Sequence, residues 1–167
     1  MSYPLHQLYD HQQQAFDSVV ESISETGKVI IPTGGGKTFV QIDSINYLTS
    51  KSENQSSVFV VLIPRIQLGV QQTSEIFKRL QAHGTEEYRY MGVHSGRMGQ
   101  DFLFDIDREH VDHAQGSHPF FSSTRASDIE AEYMKACRSG EHLVIVSTYH
   151  SAGRILNSGI SEFVDFV

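Results

Sequence analysis

A chain of 167 residues, 39% hydrophobic and 20% charged, is long enough for one domain with a full core and too short for two complete ones. A formal net charge of -7 with a pI near 5.6 excludes a basic coat for nucleic acid, so a polyanionic partner has to be held by a local patch. A single cysteine, no apolar run near the roughly 20 residues of a membrane helix, and an N-terminus without a basic-then-apolar leader exclude a disulfide scaffold and a membrane span and point to the cytoplasm.

Asp10 can cap a first helix in which Ala15, Phe16, Val19, Val20 and Ile23 share one face, and Gly27 ends it. Near its start stands Gln12, whose amide both donates and accepts hydrogen bonds, as reading one edge of adenine requires. From composition alone, Gln12, Gln13 and Gln14 read first as a solvated helix face.

Val29, Ile30 and Ile31 form a short β-branched run, expected to be a strand, which breaks at Pro32-Thr33 into Gly34, Gly35 and Gly36 before Lys37-Thr38 opens a helix. Successive glycines allow consecutive N–H groups to turn inward around an anion, and the following helix points its positive end at the same place. In such a phosphate cradle Lys37 reaches the terminal phosphates and Thr38 offers its hydroxyl to a phosphate-bound Mg²⁺. The pattern G-x-x-x-x-G-K-[ST] is met except at its first position, which is Ile31. A glycine-rich turn without a ligand is the bland alternative, and the strand, loop, Lys-Thr and helix in that order argue against it.

The helix from Lys37 carries Phe39, Val40, Ile42, Ile45 and Leu48 and ends in a polar loop over Ser50–Ser57. Val58–Ile63 is apolar throughout, as a strand covered on both faces must be, and its alternation with helices predicts a parallel sheet. Arg65, just past that strand, then lies on the rim where parallel sheets gather ligands. A helix is predicted over Ile66–Ala82, with Val70, Ile76, Phe77 and Leu80 inward, and a strand over Tyr88–Val93. Arg97 to Ala126 has no clear period; Phe102–Ile106 is a candidate strand, and His110 and His113 are spaced like metal ligands but lack a third, so they read as a surface cluster. Ser127-Asp128-Ile129-Glu130 forms a capping box for a helix ending near Ser139-Gly140, within which Cys137 falls on an apolar stripe and reads as core. His142–Ser147 is another apolar strand, delivering Thr148-Tyr149-His150-Ser151 to the rim of Gly36 and Arg65, and Phe163–Val167 begins a further one.

Together these landmarks resemble the N-terminal motor domain of superfamily-two helicases and translocases, the DEAD/DEAH-like ATPases, over nearly all of residues 1–167. Leu8–Ala15 is similar to the family's adenine-reading glutamine motif, which turns Gln12 from a solvated residue into a base-binding one. Pro32–Thr38 is similar to motif I, Pro64–Leu68 to motif Ia, Val146–Ser151 to the motif whose threonine meets the nucleic-acid backbone, and His94-Ser95-Gly96 to a glycine loop that also touches the strand. The resemblance implies an α/β RecA-like P-loop fold, a mainly parallel sheet with helices on both faces. It further implies ATP and Mg as cofactors, held by Gln12, Thr33, Gly34, Gly35, Gly36, Lys37 and Thr38, with Lys37 serving catalysis. Single-stranded or duplex nucleic acid, DNA before RNA, is the implied partner, met by Pro64, Arg65, Gly96 and Thr148.

The family's Asp-Glu-Ala-His-type motif, its second RecA-like domain and its arginine fingers have no counterpart in these residues. The expectation is therefore one domain incomplete at its C-terminal end, holding nucleotide but deficient in hydrolysis. A small P-loop kinase and a stand-alone nucleotide-sensing or single-strand-binding module are the competing functions.

Overall fold

In the computed structural model the described residues are 7–22, 27–52, 56–65, 75–76, 79–80, 87–94 and 121–166. Strand β1 (Val58–Ile63) and strand β4 (His142–Thr148) are the two apolar runs, and they lie side by side in parallel from Val58↔Leu143 to Ile63↔Thr148. Strand β2 (Tyr88–Val93) flanks β4, the short β3 (Phe121–Ser122) flanks β2, and β5 (Val164–Phe166) flanks β1. The sheet therefore runs β3-β2-β4-β1-β5, with all pairings parallel.

Parallel strands must be joined by crossovers, and the crossovers bring helices onto both faces. Alternate residues serve the two layers. Phe59, Val61, Ile63, Val144, Val146 and Tyr90 pack with Ile42 and Ile45 of helix α2 (Lys37–Lys51) and with Ile76 and Leu80. Val58, Val60, Leu143, Ile145, Met91 and Val93 pack with Ile129 and Ala136 of helix α3 (Ala126–Ser139), Ile155 of helix α4 (Ala152–Leu156), and Ile160. Phe59, Ile63 and Ile145 are at most 1% exposed, and burying each such side chain stabilises the fold by about 1.5–3 kcal/mol.

Helix α2 sets the position of everything around its start. Its C-cap residue Ser52 shares a 2.6 Å hydroxyl hydrogen bond with Ser57, which immediately precedes β1. The 15 residues of α2 rise about 22 Å at about 1.5 Å each, and the six of β1 about 20 Å. Anchored beside the start of β1 and packed along it, α2 thus brings Lys37 up to the carboxyl rim of the sheet. Helix α1 (Asp10–Glu21) packs on α2, with Phe16 edge-on to Tyr47 at 6.0 Å.

Several expectations change. Val29–Ile31 is not a strand: Ile31 is buried, but Val29 and Ile30 are 44% and 79% exposed and pair with no strand among the described residues. A β-branched run favours extension, but a strand exists only where a neighbour supplies the ladder. Helix α1 starts at Asp10 with Tyr9 as N-cap, and α3 starts at Ala126 with Arg125 as N-cap, ahead of the expected Ser127 box. At α3 the entry is held from further back, where Ser123 Oγ donates to Asp128 and accepts from Arg125 N–H at 3.1 Å. Cys137 is exposed, because Ile129, Glu132 and Ala136 take the inward face. The α3 stop at Gly140, with φ of 72°, is as expected. Phe102–Ile106, His110, His113, Gly96, Val70 and Phe77 lie outside the described residues.

Candidate nucleotide site and strand rim

The glycine loop passes from Ile31 to the first turn of α2. Gly36 is the N-cap of α2 at φ 82°, a conformation that an L side chain rarely adopts. An added Cβ there would also fall on Gln12 Nε2 and come within 3.0 Å of the Phe39 ring, so two independent constraints demand glycine. At Gly34 only the first applies: φ is 80° and the surrounding space is open.

Gln12, 3% exposed, is the one buried residue of α1, and both ends of its amide are engaged. Oε1 accepts Tyr9 N–H at 2.9 Å, while Nε2 donates to Gly35 O at 3.0 Å. His11 Nε2 lies 3.1 Å from the same carbonyl. Two side chains of α1 therefore hold one peptide of the loop, and the Gln12 amide keeps one N–H and one lone pair for another partner.

Pro32 O organises the other side. It accepts Gly35 N–H at 2.9 Å and Lys37 Nζ at 3.1 Å. Both donors belong to the set that a phosphate would use, and a charged phosphate oxygen is the stronger acceptor of the two. The donor set therefore fits an anion: a cationic Lys37, the loop amides, and the first N–H groups of α2, which a helix leaves without internal partners. Thr38 follows on the first turn of α2, half-buried.

Behind the loop α2 is fixed in rotation. Arg79 grips Asp43 with two hydrogen bonds of 2.9 Å and lies 4.7 Å over the ring of Phe39, the residue after Thr38. The pair is mostly buried, at 9% and 15% side-chain exposure, a setting in which a bidentate guanidinium-carboxylate contact is geometrically specific. This clamp was not foreseen from sequence, since its members stand 36 residues apart.

On the rim, Ile63 pairs with Thr148, and beyond this rung Tyr149 N–H donates to Ile63 O at 3.1 Å. The turns after β1 and β4 are thus tied together, bringing Pro64-Arg65 beside Tyr149-His150. Arg65 and Pro64 are exposed, whereas Thr148 is only 8% exposed. The exposed side chains directly after β4 are Tyr149 and His150, which the sequence brought to this rim without giving either a contact role.

Residues 5–165 match the family described as "Type III restriction enzyme, res subunit". No curated protein matches the chain. Among solved structures, a nuclease-deletion mutant of the Type ISP restriction-modification enzyme LlaGI, in complex with a DNA substrate mimic, matches 92% of this chain with a TM-score of 0.68 and 23% sequence identity. The chain spans 14% of the length of that protein, and the likeness is one of fold. The fold is the expected α/β RecA-like one.

Proposed function

Because the chain belongs to the family of type III restriction enzyme res subunits, we propose that it is the nucleotide-binding part of an ATP-dependent DNA helicase or translocase working in the cytoplasm. The observation that carries this reading is the loop itself: a left-handed Gly36 opens a 15-residue helix whose first two residues are Lys37 and Thr38. Thr33–Gly36 surround the phosphates, Lys37 takes their outer oxygens from its present hold on Pro32 O, Thr38 faces Mg²⁺, and Gln12 stands at the adenine end. When bound, the metal supplies charge neutralisation on the phosphates. Lys37 is the residue of this chain that adds to it, as a cation beside the transferring group.

Calorimetry with ADP and Mg²⁺ tests the assignment. Lys37→Ala should weaken binding, and equal affinities for the two proteins would remove Lys37 from the site. On the rim, Arg65 with Pro64 meets the phosphate backbone of a DNA strand, supported by Thr148 from beneath; Gly96, outside the described residues, is assigned to the same partner from the sequence alone. Recognition through phosphates is sequence-tolerant and weakened by salt. Hydrolysis also needs a carboxylate that positions water and cations that act on the transition state. Phosphate release by the 167 residues alone should therefore stay near background, and turnover of several per second that disappears in Lys37→Ala would refute this part of the proposal.

A further inference from the structure

Among the described tyrosines and phenylalanines three are more than half exposed: Tyr9 and Tyr149 at 60% each and Phe163 at 51%. Two of them are covered on one face. Tyr9 lies parallel to His11, with centroids 6.1 Å apart and planes at 8°, and Phe163 is stacked on Tyr133 at 5.2 Å. Among the described residues no ring lies against Tyr149.

The backbone that carries Tyr149 is tightly held. Its own N–H donates to Ile63 O at 3.1 Å, and two residues later Ser151, only 6% exposed, donates its N–H to Thr148 O at 2.9 Å. Thr148 itself is inside. An uncovered aromatic ring is thus presented from a turn fixed to two central strands, on the rim where Arg65 and His150 are also exposed. A flat apolar face beside cationic and hydrogen-bonding side chains suits a single strand of nucleic acid, whose bases stack while its phosphates take the charge. In a chain of net charge -7 such a local patch is what an anionic strand requires.

We propose that Tyr149 is a stacking platform for one unpaired base of a single strand whose backbone runs along Arg65. The inference rests on the nucleic-acid part of the proposed function and adds a contact to the base face. Any base offers such a face, so the contact is compatible with sequence-tolerant binding.

Fluorescence anisotropy at low salt tests it, using the 167-residue chain with a single-stranded oligonucleotide, the same oligonucleotide with abasic sites, and a duplex. Tyr149→Ala should weaken binding of the base-bearing single strand by roughly 5- to 150-fold, the range that stacking on an aromatic spans. It should leave the abasic strand and the duplex unchanged, and Tyr149→Phe should behave as the wild type. Retained ADP binding in both variants certifies the fold. If Tyr149→Ala still prefers the base-bearing strand as strongly as the wild type does, the platform is wrong. When Arg65→Ala nevertheless weakens all three ligands, only the platform falls. Should the wild type bind none of them, the backbone contact fails and takes the platform with it.

Discussion

The glycine loop, which opens α2, and the strand rim, where the chain leaves β1 and β4, are built on opposite terms. In the loop two carbonyls are already in use: Gly35 O faces His11 and Gln12, and Pro32 O holds Gly35 N–H and Lys37 Nζ. On the rim the backbone is tied, but Arg65, Tyr149 and His150 stand in solvent. An anion at the loop must take Lys37 Nζ and Gly35 N–H from Pro32 O, whereas a ligand at the rim simply adds partners. Substitutions in the loop should therefore act through packing and backbone conformation, and those on the rim through the side chain removed.

The sharpest way to break this contrast is Gly36→Ala, which meets both a left-handed backbone and the Gln12 amide. ADP binding should be lost in calorimetry, while Gly34→Ala, strained in backbone alone, should cost only about 1 kcal/mol. Equal effects of the two would show that the Gln12 contact is unimportant. Lys37→Ala comes next, expected to weaken ADP by roughly 10- to 150-fold, since hydrogen bonds to charged groups contribute about 1.5–3 kcal/mol. Gln12→Ala strips partners from Gly35 O and Tyr9 N–H and should lower stability in urea, without any nucleotide, by about 1–3 kcal/mol. An unchanged midpoint would mean that α1 and the loop are not coupled. Smallest is Arg65→Ala on the rim, which should reduce oligonucleotide affinity severalfold and flatten its salt slope by about 0.7, with no change in stability. A large loss of stability there would place Arg65 in the packing and erase the distinction.

What could be read beforehand follows the same division between local and distant causes. The runs at β1 and β4, the glycine triplet and the Gly140 stop announce themselves because their physics is local. Val29–Ile31 misled because strand formation depends on a neighbour and not on the run itself. By composition alone Gln12 looked like part of a wet face, because its partner Gly35 lies 23 residues away. Thr148 and Tyr149 differ only in which side of a turn they take. In a strand buried on both faces, parity in the sequence cannot tell which of them emerges.

The serine pair at the foot of α2 carries a consequence about counting. With Ser52 pinned to Ser57 at one end and Arg79 gripping Asp43 and covering Phe39 near the other, α2 works as a ruler whose zero and whose angular setting are both fixed. One residue more or fewer between Lys37 and Ser52 would shift the loop by about 1.5 Å and swing it by about 100°. The identities of the exposed residues along α2 are open to change; their number is not.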